Sequence, residues 1–218
     1  MSLSFNIGNV EISDKKLFLI SGPCVLENSS IGYDIAAKLK EICSNLDIPF
    51  IFKASYSKAN RTSKNGYRGV GIDNGLEQLA KIKKELSVPV LTDVHEISDV
   101  SAVASVVDVL QIPAFLCRQT FLIEAAAQTG LAINLKKGQF LAPWDIKYGV
   151  EKILACGNKR IFVTERGFSF GYGNLIVDMR SFPIISQFDC MVVFDGTHSA
   201  QLPGAGKGET AGQREMIP

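Results

Sequence analysis

Residues 53–69, Lys-Ala-Ser-Tyr-Ser-Lys-Ala-Asn-Arg-Thr-Ser-Lys-Asn-Gly-Tyr-Arg-Gly, hold five cations and no carboxylate. Lys58 and Arg61 are interleaved with the hydroxyls of Ser55, Ser57, Thr62 and Ser63. Fixed positive charge and neutral donors therefore come together, which is what a phosphate dianion requires. The segment follows directly on the apolar run Ile48-Pro49-Phe50-Ile51-Phe52, whose β-branched and aromatic content is that of a short buried strand. Lys53 and Ser55 then stand at a strand's carboxyl end, where α/β folds place their sites. A solvated loop is the common fate of a Lys/Arg-rich run, but the position after a strand and the absence of Asp and Glu favour an anion site.

Other residues capable of chemistry also end apolar runs. Cys24 follows Leu17-Phe18-Leu19-Ile20 by way of Ser21-Gly22-Pro23. Asp93, His95 and Glu96 close the run 88–94, and Gln111 with Pro113-Ala114-Phe115 closes 106–112. Lys136-Lys137 follow 131–135, Glu165-Arg166-Gly167 follow 160–164, and Asp195-Gly196-Thr197-His198 end 190–195. A lysine buried at a strand end needs an anionic partner, either a structural carboxylate or a bound ligand, because an unpaired buried ammonium is costly. Cys24 and His198 offer a thiolate and an imidazole, the donors of a soft-metal site, although a lone cysteine is more often plain packing.

The elements that must position these groups follow from the same runs. With 48–54 included they make seven candidate strands, most of them separated by helical spacing such as Glu77-x-x-Ala80-Lys81-Ile82 and Phe121-x-Ile123-Glu124-Ala125-Ala126-Ala127. A helix is expected over 31–46, and residues 4–12 alternate around Gly8-Asn9 as a hairpin does. Polar residues at every strand end predict an α/β fold of (β/α)8 TIM-barrel type, whose site is assembled from all strand ends at one face. A doubly wound sheet, the alternative, would concentrate them near one switch point. Seven strands leave the eighth βα unit missing from this chain, which stops at 213–218 in what reads as the start of a helix.

At 218 residues, 46% hydrophobic and 21% charged, the chain fits a single barrel domain over 1–218. Its 23 Lys and Arg nearly balance 22 Asp and Glu, so net charge points to no nucleic acid and no membrane surface. No apolar run nears the roughly 20 residues of a membrane span, and no signal peptide is evident, so a cytoplasmic protein is expected. Five scattered cysteines without a Cys-x-x-Cys pair argue against a disulfide framework. No Walker loop, GxGxxG or Ser-His-Asp spacing supports nucleotide or acyl-transfer chemistry.

The stretch Lys58-Ala59-Asn60-Arg61-Thr62-Ser63, after Phe52-Lys53-Ala54-Ser55 and before Tyr67-Arg68-Gly69, resembles the signature of the 3-deoxy-D-manno-octulosonate 8-phosphate synthases. Those enzymes condense phosphoenolpyruvate with D-arabinose 5-phosphate and water, releasing phosphate, in lipopolysaccharide KDO biosynthesis. The related 3-deoxy-D-arabino-heptulosonate 7-phosphate synthases, which use erythrose 4-phosphate, usually read Lys-Pro-Arg-Thr here. The resemblance implies that Lys58, Lys136 and Arg166 hold phosphoenolpyruvate, with Lys53 and Ser55 beside them. It assigns the sugar phosphate to Arg61, Thr62 and an Arg118 reaching in from a neighbouring subunit of a homotetramer. Asn60 and Asp93 then contact sugar hydroxyls, and Gln111 and Ala114 complete the substrate wall. Lys58, Asn60, Asp93, Lys136, Arg166 and His198 form the implied catalytic set. Cys24 and His198 become ligands of a divalent metal (Zn, Fe, Mn or Co), joined in the family by a Glu and an Asp from a final strand beyond Pro218. His95 matches no ligand and stands behind the site, and the hairpin plugs the barrel's bottom. Two other readings stay open: a heptulosonate 7-phosphate synthase, and a non-catalytic chain that only binds phosphoanions.

Overall fold

The chain opens with β1 (Ser4–Ile7) and β2 (Val10–Ser13), paired antiparallel through a turn at Gly8, whose φ is +56°. Ile7 and Ile12, on the same face of this hairpin, are both buried. The computed structural model describes residues 3–61, 63–206 and 209–217. After the hairpin, β3 (Leu19–Ser21), β4 (Phe50–Lys53), β5 (Val90–Asp93), β6 (Val109–Ile112), β7 (Ala132–Lys136) and β8 (Ile161–Glu165) alternate with α1 (Ser29–Asn45), α2 (Ile72–Leu86), α3 (Ile97–Ala104), α4 (Thr120–Gln128) and α5 (Lys147–Ala155). Two short strands, β9 (Phe168–Ser169) and β10 (Leu175–Ile176), form a small hairpin before α6 (Ser181–Ile185) and β11 (Met191–Phe194). The one-turn α7 (Gly196–Ser199) and the hairpin of β12 (Gln201–Gly206) and β13 (Glu209–Gly212) complete the described elements.

Local chemistry explains the helix starts. Asn28 caps α1 by accepting from the Ile31 N–H at 2.9 Å. α2 begins after Gly71 (φ +85°), carries Asp73 in its first turn and has Lys83 and Lys84 in its last, each sign matching the helix dipole.

The main sheet is all parallel in the order β3-β4-β5-β6-β7-β8-β11, each strand beside its predecessor. A doubly wound sheet reverses its strand order at a switch point; this one never does, so the sheet is an incomplete (β/α) barrel, with seven strands among the described residues and β3 and β11 at its open edges. Side-chain alternation sorts the strands into two cores. Phe50, Phe52, Val90, Leu110, Leu135, Ile161 and Val163 face the helices. Ile51, Leu91, Val109, Ala132, Phe162 and Met191 face the lumen and share one cluster with Ile7 and Ile12. The hairpin is thus the lumen's apolar floor, as expected from the resemblance.

Three expectations need correction. The first barrel strand is 19–21 rather than 17–20: the chain crosses the barrel bottom before it, and Leu17 is 76% exposed. The terminal segment forms a single 3-10 turn over Arg214–Met216 instead of entering a helix, while Pro218 lies outside the described residues. The β12–β13 hairpin was not anticipated, because 201–212 is rich in glycine and lacks the alternation of a strand pair.

Candidate active site

Two residues beyond the apolar floor, the same lumen-facing alternation turns polar. Lys53, Asp93, Gln111, Asn134 and Thr164 succeed Ile51, Leu91, Val109, Ala132 and Phe162 along their strands. One further step brings Ser55, His95, Lys136, Arg166 and Asp195 to the rim. Across the strands, Thr164 donates to Asn134 Oδ1 at 2.7 Å and Asn134 Nδ2 to Gln111 Oε1 at 3.1 Å. This buried amide ladder supports the layer above it.

That upper layer walls a cavity of about 600 Å³. Cys24, Lys53, Lys58, Asn60, Arg61, Asp93, Gln111, Ala114, Lys136, Arg166 and His198 all line it. Ser55 lies buried beneath, accepting from Lys58 Nζ at 2.6 Å and Lys53 Nζ at 3.3 Å while donating to Asp93 Oδ1. The other Asp93 oxygen meets His95 Nε2 at 3.0 Å, and His95 stacks edge-on against Tyr56. His95 therefore stands behind Asp93, although it also reaches the cavity wall. Thr62 lies outside the described residues. Arg118 does not enter the cavity of its own chain; it lines a separate cleft of about 360 Å³ with Cys117, Asp145 and Lys152.

The basic segment is held by its own backbone. Lys58 N–H donates to Arg68 O at 2.7 Å, Ser57 bridges Gly69, and Arg61 Nε donates to Tyr67 O at 2.8 Å. Tyr67 in turn donates to Leu26 O at 3.2 Å. Gly69 is required at this turn: its φ is +112°, and a Cβ would lie 2.3 Å from Tyr56 O.

At the other side of the cavity, Lys136 Nζ pairs with Asp195 Oδ2 at 2.5 Å, and the same oxygen meets His198 Nδ1 at 2.7 Å. Asp195 also caps α7, its Oδ1 accepting from His198 N–H at 2.9 Å. The Arg166 guanidinium donates to Gln201 Oε1 at 2.6 Å and to His198 O at 3.3 Å, while its buried Nη1 has no acceptor among the described residues. Gln201, Pro203 and Gly204 bring the unanticipated hairpin into the cavity wall.

A family model described as the DAHP synthetase I family matches residues 5–216. The chain belongs to that family. A Trichlorobacter lovleyi protein named 2-dehydro-3-deoxyphosphooctonate aldolase is 55% identical over 219 residues, covering 100% of this chain and 80% of that protein. Proteins of the same name from Geotalea daltonii (53% identical, 100% of this chain and 80% of the relative) and Methylococcus capsulatus (57% identical, 93% and 71%) agree with it.

In this DAHP synthetase I chain the cavity is electrostatically unbalanced. Lys53, Lys58, Arg61, Lys136 and Arg166 face two carboxylates, Asp93 and Asp195. Burial pushes Asp93 upward, but the His95 hydrogen bond and the charges of Lys53 and Lys58 outweigh it and hold the carboxyl well below its usual range. For Asp195, burial is likewise overcome by the His198 hydrogen bond and Lys136. Both carboxylates are ionised, and the cations still exceed them. Burial lowers the Lys58, Lys136 and Arg166 pKa values, with neighbouring cations adding to the effect for the two lysines. An anionic ligand relieves that strain.

The structure brings Cys24 and His198 together from the first and last strand ends. A hydrogen bond from the His198 imidazole is the main cause that lowers the Cys24 thiol to about 6, against burial and with help from Lys58 and Lys53. A thiolate beside an imidazole whose other nitrogen is held by a carboxylate is the donor arrangement of a metal site. Among the described residues no cluster of three or more His, Cys, Asp and Glu side chains accompanies them. The residues present fit two donors of such a site. Sequence reasoning named Asp195 only as polar. Its spacing three residues before His198 is the capping signal that could have identified its role; nothing in the sequence marked Gln201.

Proposed function

We propose that this chain condenses phosphoenolpyruvate with D-arabinose 5-phosphate and water, giving 3-deoxy-D-manno-octulosonate 8-phosphate and phosphate. The observation that carries the reading is the excess of cations, buried or half-buried, around one cavity, in a chain whose relatives bear the aldolase name. Phosphoenolpyruvate fits the inner end, where Lys58, Lys136 and the unpartnered Nη1 of Arg166 converge on its phosphate and carboxylate. Arabinose 5-phosphate fits the mouth, its phosphate toward Arg61 and its hydroxyls toward Asn60 and Asp93; the resemblance adds Thr62 to the phosphate's ligands. Arg118 of a neighbouring copy in a homotetramer would complete that end.

In the reaction C3 of phosphoenolpyruvate bonds to the sugar's aldehyde carbon and the aldehyde oxygen takes a proton. Water adds its oxygen to C2, where it becomes the new carbonyl oxygen; one of its protons balances the one taken by the aldehyde oxygen, and the other leaves with the phosphate, which departs carrying the enol oxygen. Positive character at C2 and the doubly phosphorylated intermediate call for fixed charges and orientation rather than a covalent nucleophile. Lys58 and Arg166 hold the phosphate that leaves; Asp93, kept ionised and clamped by Ser55 and His95, orients the sugar. A divalent metal, Zn, Fe, Mn or Co, would be held by Cys24 Sγ and His198 Nε2, and when bound it supplies a Lewis acid for the aldehyde or water.

The test is substrate choice. Arabinose 5-phosphate should release phosphate from phosphoenolpyruvate far faster than erythrose 4-phosphate does, because Ala59-Asn60 stands where the sister enzymes carry Pro. Equal rates or preference for the shorter sugar would refute the assignment.

A further inference from the structure

We propose that Glu165 and Lys137, which face away from the cavity, form a positioning device that aims Arg166 at the anion site. The proposal rests on Arg166 being a phosphoenolpyruvate ligand. Alternation puts neighbours on opposite sides of the barrel wall: Lys136 lines the cavity while Lys137 does not, and Arg166 lines it while Glu165 does not. Glu165 and Lys137 are each only 1% exposed. Two ionisable groups that touch no ligand space and lie this deep carry a desolvation cost that an apolar pair would avoid. Their hydrogen bonds show what the arrangement provides.

Glu165 Oε1 accepts from two consecutive backbone donors, the Arg166 N–H at 2.9 Å and the Gly167 N–H at 2.7 Å. These donors occur where β8 stops and the chain turns, with Gly167 at φ +94°. Both residues are buried, so without Oε1 two N–H groups would be stranded. The carboxylate thus fixes the Arg166 main chain, and the guanidinium leaves that anchor toward Gln201 and His198 with Nη1 free for a ligand. The other oxygen, Oε2, has no hydrogen bond and lies 3.5 Å from Lys137 Nζ. Lys137 also donates to Leu141 O at 2.9 Å and sits 5.7 Å from the Phe168 ring centroid. One ammonium therefore ties the loop after β7, which carries the cavity residue Gln139, to the turn after β8.

Two double variants separate the acceptor oxygen from the charge, with binding of phosphoenolpyruvate and of arabinose 5-phosphate measured by calorimetry. Glu165→Gln with Lys137→Met removes both charges and keeps an acceptor for the two N–H groups. Glu165→Met with Lys137→Met removes the acceptor as well. The first should bind phosphoenolpyruvate much as the unmodified chain does. The second should bind it about tenfold more weakly, the scale of a misplaced charge-assisted hydrogen bond, while arabinose 5-phosphate affinity stays unchanged in both. Adding Arg166→Ala to each should abolish the difference, since coupled residues are non-additive. Equal binding by the two doubles, a gap that survives Arg166→Ala, or parallel loss of sugar-phosphate affinity would each overturn the proposal. Should the Met double fail to fold, Glu165→Asp withdraws the carboxylate from the two donors while keeping its charge; about tenfold weaker phosphoenolpyruvate binding is expected, and unchanged binding overturns the proposal. An unmodified chain that binds arabinose 5-phosphate but no phosphoenolpyruvate overturns both the reading of Arg166 and this inference.

Discussion

Lys136 and Arg166 differ in what they would lose to alanine. Lys136 is already neutralised by Asp195 at 2.5 Å, whereas Arg166 keeps one buried nitrogen without an acceptor. Arg166→Ala should therefore weaken phosphoenolpyruvate binding by about 1.5–3 kcal/mol and leave the melting temperature nearly unchanged. Lys136→Ala should weaken binding too, but it also takes from the half-buried Asp195 carboxylate its lysine partner, leaving it to His198, and so lowers the melting temperature; paired binding and thermal-unfolding measurements distinguish the two. Lys58 gives a pH signature. Burial first, then the charges of Lys53 and Lys136, bring its pKa below the ordinary lysine value despite Asp93 and Cys24. A phosphate dianion binds the charged form, so affinity is full below the lowered value and falls as pH rises through it. Lys58→Arg, charged throughout, should flatten that profile; a profile already flat in the unmodified chain up to about pH 10, the ordinary lysine range, would show that Lys58 does not contact the anion. The cations themselves were legible because they end apolar runs. Their partners were not: Lys136 and Asp195 are brought together by the position of two different strands, and no local pattern encodes that pairing.

The basic segment shows how an element carries the site. Its two ends are joined at Ser57 and Gly69, and Gly75 of α2 lies so close to Tyr56 that a Cβ there would come within 2.3 Å of the tyrosine Cβ. Gly69→Ala would meet Tyr56 O and a φ that side chains rarely adopt, at a cost of about 1–3 kcal/mol. Expected is a lower melting temperature together with weakened binding of both phosphate esters, since Lys58 and Arg61 ride on the displaced loop; a variant with wild-type affinities would mean the loop tolerates the shift. The strands of this barrel were readable as apolar runs that end in polar residues, and α1 as the helix expected over 31–46. The Gln201–Gly212 hairpin was not, because glycine-rich strands contribute backbone pairing without a side-chain pattern, although this hairpin brings Gln201 to Arg166.

For the whole molecule, the sequential strand order decides between the two α/β architectures that composition left open, and it brings the first strand's Cys24 to the last strand's His198. That meeting predicts metal binding. Added Co(II) should produce a thiolate-to-metal absorption band in the unmodified chain and none in Cys24→Asn; the same spectrum in both would make Cys24 a bystander. Adjacency of these two residues was implied by the family resemblance alone; no local pattern carries it, since it depends on the curvature accumulated over the entire sheet.

The hairpin floor has a kinetic consequence. Ile7 and Ile12 leave the ribosome well before β11, yet the cluster that buries them includes Met191, the first residue of that strand. Helices and adjacent parallel strands can form progressively as synthesis proceeds, but the plug is not fully covered until β11 has been made. Pulsed hydrogen exchange during refolding should therefore show the amides of β1 and β2 gaining protection together with those of β11.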